Sequence, residues 1–447
     1  MSYLHIKGAR PLKGECGVQG AKNSALPILA SAVLVNGESV IRSCPRLSDV
    51  DATVKILKHL GCAVSVSDDT VVINSDGASG WDIPYPLMRE MRSSVIFLGA
   101  ILARQGKVRL SAPGGCEIGL RPIDLHIGAM KKLGAAVDDS SGIITCEAPE
   151  GLSGADITLS FPSVGATENI IIAACTAKGN TVIYNAAREP EISDLADFLN
   201  ACGARIRGAG EGTVYIEGVK KLTGTLHSVI PDRIAAATLM CAAAATRGDI
   251  KLNGIIPAHL GPVINVFEEA GCSVECRPGS VRLKAPERLN AVPVIRTMPY
   301  PGFPTDIQAP VTAMLALAKG TGVMIETIFE SRYKYIGELL RFGAKIRVDG
   351  RMAVTEGVES FTGASVIAPD LRGGAALVIA GLAAHGDTEI ADIRHIDRGY
   401  EKIELTLCSL SADVKRTDEN EQRTTEQIPA EPSGGASFGN GAEEPRR

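Results

Sequence analysis

A pattern of apolar and polar positions recurs roughly every 70 residues along this chain of 447 residues. In each copy, apolar residues at helical spacing, such as Val54, Leu57 and Leu60, lead to a glycine and then to a short β-like segment. Glycine is the expected residue just after a helix, because it takes the left-handed conformation without strain. A sixth copy has Ser411 in place of the glycine. The six copies span residues 60–64, 133–137, 202–206, 270–274, 342–346 and 410–414.

A second mark lies about 40 residues before each of these copies: a polar cluster that opens an alanine-rich helical segment. These clusters occupy residues 22–24, 92–94, 163–168, 231–233, 305–306 and 370–372. Because the polar cluster and the helix–glycine–strand pattern recur at the same spacing, they predict six copies of one α/β unit. We therefore expect an α/β protein whose apolar helices pack closely through its abundant glycines and alanines.

The polar clusters can be interpreted in two ways. Ser24, Ser94 and Thr305 are typical helix caps. A cap does not explain the cations in the same clusters, because positive charge opposes the helix dipole at this end. An anionic ligand would explain them, since helix N-termini offer free N–H groups to anions. These cations are Lys22, Arg92, Arg233 and Arg372.

Composition and charge argue against several classes of protein. The formal net charge of −5 gives no overall basic surface for nucleic acid. The longest apolar runs, at 234–245 and 375–384, are shorter than the roughly 20 residues of a membrane span. We expect no signal peptide and no zinc site, and eleven scattered cysteines are typical of a reducing cytoplasm. We therefore expect no nucleic acid partner, no membrane insertion and no obligatory protein partner.

Residues 113–126 contain three glycines and two prolines, which predicts a loop. The segment carries Cys116 and Arg121, and a nearby guanidinium favours the thiolate form of an exposed cysteine. The loop alone leaves open whether Cys116 is a reactive thiol or an incidental cysteine on the surface.

This loop resembles the active-site loop of the UDP-N-acetylglucosamine 1-carboxyvinyltransferases, the family of enolpyruvyl transferases that begins peptidoglycan synthesis. The resemblance extends from Leu4 to about Lys415. It implies a two-domain inside-out α/β barrel with three repeats in each domain. The family's first strand joins the C-terminal half, which implies domains of 22–229 and of 1–21 plus 230–417, with a hinge near 21 and 230. The segment 418–447 has almost no apolar residues, and we expect a disordered tail there.

The resemblance implies transfer of the enolpyruvyl group of phosphoenolpyruvate to the 3′-hydroxyl of UDP-N-acetylglucosamine, in the cytoplasm, with no metal or organic cofactor. In the family, the residue matching Cys116 adds to the enolpyruvyl carbon, protonates it and is alkylated by fosfomycin. Lys22, Arg121 and Arg398 would bind phosphoenolpyruvate, since a planar guanidinium suits phosphate. Asp306 would be the base for the 3′-hydroxyl, and desolvation on domain closure should raise its pKa.

Other residues match family positions at the sugar nucleotide or at the interface between domains. Ser163, Val164 and Gly165 would hold the diphosphate through backbone N–H groups. The segment from Arg121 to Leu125 would line the uridine site. The further matches are Asn23, Arg92, Pro122, Ile123, Asp124, Ile328, Arg332, Asp370 and Arg372.

Two alternatives stay open. A shikimate-pathway enolpyruvyl transferase would share the fold and the donor, but it generally lacks the Gly-Gly-Cys loop. Ala235, where the family often has Glu, slightly favours a catalytically silent paralogue that senses UDP-sugars, and retention of the catalytic set argues against it. Phe161 precedes the diphosphate segment where some members have a lysine. We interpret His126 as structural, and Arg188 and Glu191 as formers of structural ion pairs.

Overall fold

The computed structural model describes residues 2–111, 123–140 and 142–418. In this part of the chain the strands are β1 (Ser2–Lys7), β2 (Lys13–Gly17), β3 (Val35–Asn36), β4 (Glu38–Arg42), β5 (Ala63–Ser67), β6 (Thr70–Asn74), β7 (Asp82–Ile83), β8 (Lys107–Ser111), β9 (Ala136–Asp138), β10 (Ile143–Glu147), β11 (Asp156–Thr158), β12 (Asn180–Tyr184), β13 (Arg205–Arg207), β14 (Thr213–Glu217), β15 (Leu222–Thr223), β16 (Leu226–Ser228), β17 (Asp249–Asn253), β18 (Ser273–Arg277), β19 (Ser280–Lys284), β20 (Val294–Arg296), β21 (Thr321–Ile325), β22 (Lys345–Asp349), β23 (Met352–Glu356), β24 (Ser365–Ile367), β25 (Asp387–Ala391) and β26 (Asp413–Asp418).

The helices of the described residues are α1 (Lys22–Ser31), α2 (Ser48–His59), α3 (Tyr85–Glu90), α4 (Phe97–Gln105), α5 (Asp124–Lys132), α6 (Val164–Ala174), α7 (Pro190–Ala201), α8 (Arg233–Ala245), α9 (Gly261–Glu269), α10 (Gln308–Leu315), α11 (Ile336–Arg341), α12 (Leu371–Ala383) and α13 (Ile403–Ser409). Short 3₁₀ helices lie at Ala32–Leu34, Arg92–Ile96, Pro257–Leu260, Thr305–Ile307 and Ile393–Arg398. All six predicted helix-opening clusters coincide with the start of a helix or of the 3₁₀ turn that leads into one.

Each of the six predicted repeats corresponds to one four-stranded sheet. In the third repeat β11 pairs in parallel with β12, β12 pairs antiparallel with β14, and β14 pairs antiparallel with β13. The second and fifth repeats have the same strand order, β7-β8-β10-β9 and β20-β21-β23-β22. The predicted α/β unit is therefore confirmed, and its sheet follows one order throughout these repeats.

The other three sheets take a strand from a distant part of the chain. β16 pairs in parallel with β4, β2 pairs in parallel with β17, and β1 lies between β25 and β26. The two N-terminal strands thus belong to sheets of the C-terminal repeats. β26 includes Asp418, the residue at which the predicted tail begins, because Asp418 still pairs with Ser2. The rest of that predicted tail lies outside the described residues.

Two chain segments that cross the middle of the molecule pair with each other. The N–H of Ala21 donates to the carbonyl of Ile230 at 2.7 Å, and the N–H of Asp232 donates to the carbonyl of Gln19 at 2.9 Å. The side chain of Asp232 caps α8, and it also accepts a hydrogen bond from the backbone N–H of Lys22 at 3.3 Å. The first turns of α1 and α8 therefore meet at the crossing.

The buried apolar side chains form two clusters, one on each side of this crossing. The first core comprises residues between 21 and 229, and the second core comprises residues 4–12 together with residues between 234 and 414. Helices α8, α10 and α12 pack against one another in the second core and are buried on nearly all sides. In the first core α1, α4 and α6 are buried in the same way. Helices that are apolar all round belong inside a protein, and here the sheets enclose them, which is the predicted inside-out α/β arrangement.

Glycines support this architecture in two ways. The glycine that follows the helix in each of the first five repeats has a φ between 91° and 103°. Ser411, at the same place in the sixth repeat, is also left-handed, with a φ of 71°. Gly99 in α4 allows a close approach to α6, because a Cβ at this position would lie 2.5 Å from the carbonyl oxygen of Asn169. The central helices therefore pack through small residues, as the composition predicts.

Candidate functional site

A group of charged side chains lies at the crossing between the two cores. We call it the charged cluster and define it as Lys22, Asp49, Asp306, Arg332, Arg372 and Arg398. Lys22 is the first residue of α1, and Arg372 is the second residue of α12, so both stand at helix N-termini. The chain thus brings together residues that are hundreds of positions apart.

Asp49 in α2 joins Lys22 to Arg398. One of its carboxylate oxygens accepts from Nζ of Lys22 at 2.7 Å, and the other accepts from Nε of Arg398 at 2.9 Å. The Asp49 side chain is 2% exposed, whereas those of Lys22 and Arg398 are 11% and 26% exposed. Burial acts to raise the pKa of Asp49, but Lys22 and Arg398 hold it below its ordinary value. Asp49 is therefore ionised, and both cations keep a surface for a ligand.

The pKa of Lys22 shows that the cations of the cluster affect one another. Burial lowers this pKa from its ordinary value. The carboxylate of Asp49 opposes the shift, whereas the positive charges of Arg372 and Arg398 add to it. An additional anion bound here would reduce the repulsion among the three cations.

Asp306 is the second carboxylate of the cluster. It accepts a hydrogen bond from Arg332 at 2.8 Å and from Arg372 at 3.4 Å, and its side chain is 30% exposed. Burial acts to raise its pKa, as the sequence predicts, but Arg372 and Arg332 outweigh burial and hold the pKa well below its ordinary value. The predicted rise is therefore wrong for this arrangement. Asp306 is ionised, and while both arginines hold it, it is a weak base.

Residues of the second core fix the position of Arg372. Its Nη1 donates to the hydroxyl of Tyr400 at 3.0 Å, and that hydroxyl also bonds to Thr238 in α8 at 2.9 Å. Asp370 caps α12 by accepting from the N–H groups of Arg372 and Gly373, each at 2.9 Å. In this structure Asp370 thus positions the start of the helix that carries Arg372.

The three residues interpreted as helix caps have other partners. The hydroxyl groups of Ser24 and Thr305 donate to Asp194 and Glu326, and that of Ser94 donates to a backbone carbonyl. The helices that they open have no side-chain cap. The capping interpretation is therefore wrong for these residues.

Three of the cations at the helix starts, Lys22, Arg233 and Arg372, also have partners within the protein. Arg233 makes two hydrogen bonds to Glu191, at 3.0 and 3.2 Å, and both side chains are buried. Glu191 therefore forms an ion pair, as predicted, and a ligand is not needed to explain Arg233. This corrects the argument that the cations require an anionic ligand. The stronger evidence for an anion site is that Lys22, Arg372 and Arg398 lie close enough to repel one another and that the Arg398 side chain stays 26% exposed.

The described parts of the segments predicted to contact the nucleotide diphosphate and uridine, 163–165 and 123–125, pack against the first core. Ser163 caps α6, so Val164 and Gly165 form its first turn, and their N–H groups have no carbonyl partner within the helix. α5 begins at Asp124 and packs against α6. A Cβ at Gly165 would lie 3.3 Å from the ring of His126, so glycine permits this contact. Ile123 and Leu125 are partly exposed beside it.

His126 is buried and has a structural partner, as predicted from the sequence. Its Nδ1 bonds to the amide of Asn169 at 2.9 Å, and the same amide donates to the carbonyl of Val95 at 3.0 Å. The amide oxygen accepts from the N–H of Gly99 at 2.8 Å. Burial lowers the pKa of His126 to about 4, so the ring is neutral at pH 7. One asparagine thus links α4, α5 and α6 behind the predicted nucleotide segments.

The other predicted residues that the structure describes lie around the charged cluster or at the edge of the first core. Ile328 and Arg332 are on the segment between β21 and α11, where the Arg332 guanidinium lies 5.2 Å from the centre of the Phe329 ring. Asn23 is partly exposed in the first turn of α1, and Arg92 begins a 3₁₀ helix. Cys116, Arg121 and Pro122 lie outside the described residues.

Comparison with known proteins decides the family. The family model of EPSP synthase (3-phosphoshikimate 1-carboxyvinyltransferase) matches residues 6–407. A protein of Caldanaerobacter subterraneus subsp. tengcongensis named UDP-N-acetylglucosamine 1-carboxyvinyltransferase 2 is 51% identical over 416 residues, which are 93% of this chain and 100% of that relative. UDP-N-acetylglucosamine 1-carboxyvinyltransferase of Trichlorobacter lovleyi is 48% identical over 94% of this chain and 100% of its own. This chain belongs to the UDP-N-acetylglucosamine 1-carboxyvinyltransferase family.

Solved structures agree with the fold of this chain. The enolpyruvyl transferase NikO from Streptomyces tendae superposes with a TM-score of 0.84 at 24% identity, over 93% of this chain and 99% of that one. An EPSP synthase from Acinetobacter baumannii superposes with a TM-score of 0.71 at 18% identity, over 94% and 100% of the two chains. At these identities the likeness concerns the fold alone.

Sequence reasoning missed three residues that organise the candidate site: Asp49, Glu326 and Tyr400. Asp49 stands with Asp51 in the first turn of α2. An acidic residue there favours the helix dipole, so the sequence already offers a structural explanation for it. Its pairing with Arg398, 349 positions away, has no local signal.

Two features are absent from residues 2–111, 123–140 and 142–418 of the chain. In these ranges no group of three His, Cys, Asp or Glu residues is arranged to hold a metal ion. No helix there has the length and apolar character needed to cross a bilayer.

Proposed function

We propose that this enzyme transfers the enolpyruvyl group of phosphoenolpyruvate to the 3′-hydroxyl of UDP-N-acetylglucosamine and releases phosphate, the first committed step of peptidoglycan synthesis. The observation that carries the proposal is the charged cluster, in which cations from both cores surround Asp49 and the partly exposed Asp306. The identities of 46% to 51% to relatives named for this activity support it.

The donor would bind where Lys22 and Arg398 share the carboxylate of Asp49. Two cations and one carboxylate leave an excess of positive charge, and Arg372 lies close enough to affect Lys22. Phosphoenolpyruvate brings a phosphate and a carboxylate, and it would reduce this repulsion while each cation keeps a charge-assisted hydrogen bond. Arg121 would add a bidentate contact to the phosphate.

The acceptor would bind with its diphosphate at the first turn of α6, where Val164 and Gly165 offer N–H groups and the positive end of the dipole. Asn23 and Arg92, the segment from Arg121 to Leu125, and Ile328 would contact the nucleotide. The 3′-hydroxyl would then attack C-2 of phosphoenolpyruvate while Cys116 protonates C-3. The resulting tetrahedral phospholactoyl adduct would lose phosphate and the C-3 proton to give the enolpyruvyl ether.

Asp306 would accept the proton of the 3′-hydroxyl. It is already ionised, but its two arginines make it a weak base. A bound substrate anion that takes hydrogen bonds from Arg372 or Arg332 would weaken their hold on Asp306. The pKa of Asp306 would then rise toward the value that burial favours, so the base would strengthen only when the substrates are in place.

We propose that the two cores are two domains, 22–229 and 1–21 plus 230–417, which close on the substrates about the paired crossing near residues 21 and 230. The two separate apolar cores support this division, and polar contacts between them support closure of one on the other. Arg398 reaches Asp49, and the N–H of Arg46 donates to Glu401 at 3.3 Å. Closure of this kind excludes water and assembles the two anion sites.

The test is release of phosphate from phosphoenolpyruvate by the full chain, assayed separately with UDP-N-acetylglucosamine and with shikimate 3-phosphate. We expect release with the first acceptor only, and a Lys22→Ala variant should lose roughly 100-fold or more of it, because a charge on the donor site is removed. Turnover of shikimate 3-phosphate alone would overturn the proposal. Binding of the sugar nucleotide without phosphate release would favour a silent paralogue.

The enzyme would act in the cytoplasm without an obligatory partner protein. Ten cysteines lie in the described ranges, and all are free thiols. Seven of these ten are buried, as expected for small apolar side chains in a reducing compartment.

A further inference from the structure

Glu326 is a fully buried carboxylate that follows β21, with 0% of its surface exposed. Its Oε1 accepts from the hydroxyl of Thr297 at 2.9 Å and from the N–H groups of Ile328 at 2.8 Å and Phe329 at 3.1 Å. Its Oε2 accepts from the hydroxyl of Thr305 at 2.8 Å. These four donors are all neutral, so the side chain is satisfied by geometry rather than by a paired cation.

The two oxygens of Glu326 hold opposite sides of one ion pair. Thr305, bound to Oε2, directly precedes Asp306 in the 3₁₀ helix. Ile328 and Phe329, bound to Oε1, lead into Arg332, which donates to Asp306 at 2.8 Å. One buried carboxylate thus sets the separation between the turn that carries Asp306 and the segment that carries Arg332.

We propose that Glu326 is a positioning residue for the transfer reaction: through Thr305 it fixes Asp306 against the acceptor hydroxyl, and through the N–H groups of Ile328 and Phe329 it fixes the adjoining nucleotide segment. The inference rests on the proposed function and adds to it a residue that touches neither substrate. Displacement of a catalytic group by about 1 Å can cost roughly 100-fold in rate. A carboxylate whose contacts all lie within 3.1 Å can prevent such a displacement.

A purely structural interpretation is that Glu326 only satisfies the backbone at the end of β21. The two interpretations differ in what the Thr305 hydroxyl does. Under the structural interpretation, removing this hydroxyl changes stability but not turnover by the folded enzyme. Under the positioning interpretation, its removal frees the turn that carries Asp306 and lowers turnover, while the nucleotide segment stays bound to Oε1.

The experiment compares four variants of the full chain: Thr305→Val, Glu326→Ala, Glu326→Gln and the control Thr181→Val. Valine has the shape of threonine without the hydroxyl. Thr181 is a suitable control, because it is buried in β12 of the first core and its hydroxyl has no hydrogen-bond partner. Glutamine keeps the oxygen that accepts three hydrogen bonds, and its NH₂ group can donate to the Thr305 hydroxyl in place of Oε2.

For each variant we would measure the melting temperature, kcat and KM for both substrates, and the hydrogen exchange of the Ile328 and Phe329 amides. We expect Thr305→Val to lower kcat by about tenfold or more, with KM for the sugar nucleotide within about twofold and amide exchange unchanged. Glu326→Ala should lower kcat, raise this KM and accelerate exchange at both amides. Glu326→Gln should stay within about threefold of the wild type in kcat, because the geometry is kept.

The proposal is overturned if Thr305→Val matches Thr181→Val in kcat, or if Glu326→Gln loses as much activity as Glu326→Ala. The first result would show that the Thr305 link does not position Asp306, and the second that charge rather than geometry matters. The exchange of the two amides does not depend on the reaction. If the wild type fails to release phosphate with UDP-N-acetylglucosamine, the proposed function is wrong, and the catalytic part of the Glu326 proposal is wrong as well. Accelerated amide exchange in Glu326→Ala would still establish the structural link.

Discussion

At the scale of single residues, the pKa values of the charged cluster depend on partners that lie far away in sequence. Asp306 would be expected to have a raised pKa from its burial, but Arg332 and Arg372, 26 and 66 positions away, reverse the direction. Desolvation can be anticipated from a sequence that predicts an enclosed site. The two guanidinium groups cannot, because only the folded chain brings them within hydrogen-bond distance.

His126 should make the stability of the protein depend on pH. Its pKa is lowered from 6.5 to about 4 in the folded protein, so between these values the unfolded chain binds more protons. Its contribution to stability is complete above pH 6.5 and is lost as the pH falls toward 4. Between pH 7.5 and pH 5 the free energy of unfolding should fall by about 2 kcal/mol through this group. Urea denaturation of the wild type and of His126→Gln measures it, and an equal fall in both proteins would contradict the assignment.

Cys116 should be the thiol that fosfomycin modifies. Burial raises the pKa of the other cysteines in the cores, for example that of Cys62 to about 11, which keeps them protonated and unreactive. Cys276 and Cys408 are the exposed thiols in the described part of the chain and serve as internal controls. Peptide mass mapping should find the drug on Cys116, faster with UDP-N-acetylglucosamine present, and Cys116→Asp should resist it while keeping some turnover. Modification of Cys276 or Cys408 instead would remove Cys116 from the proposed mechanism.

At the scale of elements, the close approach of α4 and α6 depends on Gly99. An added methyl group would lie 2.5 Å from the backbone oxygen of Asn169, so the two helices would have to separate. Gly99→Ala should therefore destabilise the protein by about 1–3 kcal/mol, seen as a lower melting temperature. Gly128→Ala in α5 is the matched control, because nothing lies within 4 Å of its added methyl group. It should stabilise the protein by about 0.5–1 kcal/mol, and equal losses in both variants would contradict this account.

The sequence predicts these elements well where the signal is local. The repeat phase, the left-handed glycines after helices and the apolar central helices all depend on neighbours within a few turns. Capping is predicted less well, because Ser24 and Thr305 have the residue types of caps but donate to Asp194 and Glu326, which are brought in by the fold. Whether such a side chain caps its helix or bonds to a distant residue depends on the packing of the folded chain. The local sequence does not reveal that packing.

At the scale of the whole molecule, a buried ion pair joins the two cores. Arg233 of α8 meets Glu191 of α7 with side chains that are 8% and 3% exposed. Glu189 lies near enough to raise the pKa of Arg233, and its carboxylate accepts from the N–H of Tyr300 at 3.3 Å. Arg233 therefore balances more than one carboxylate at the boundary between the cores.

Removing only one partner of this pair should be costly. Arg233→Met should reduce the free energy of unfolding by about 3–5 kcal/mol, because it leaves a buried carboxylate without a cation. The double variant Arg233→Met with Glu191→Met should recover much of that loss, since the most buried carboxylate that Arg233 balances is removed together with it. Denaturation of the wild type, Arg233→Met, Glu191→Met and the double variant provides a double-mutant cycle. A double variant whose loss equals the sum of the single losses would show that the two side chains are not coupled.

The assembly of the candidate site could be predicted from the sequence only in outline. Lys22, Asp306, Arg332, Arg372 and Arg398 were identified through the family resemblance, and the structure groups them at one crossing. Asp49 and Glu326, which hold this group in place, were missed because each has an ordinary local environment in the sequence. A residue whose role is to position another one shows that role only in three dimensions.

The central claim is that this chain forms an enolpyruvyl ether on UDP-N-acetylglucosamine at the charged cluster. The most direct measurement is NMR and mass spectrometry of the product formed by the full chain from phosphoenolpyruvate and UDP-N-acetylglucosamine. We predict an enolpyruvyl group on the 3′ oxygen of the sugar and one phosphate released for each product molecule. The Arg398→Ala variant should form far less product, since a cation of the donor site is lost. Unchanged sugar nucleotide, an enolpyruvyl group on another oxygen, or full turnover by Arg398→Ala would contradict the account.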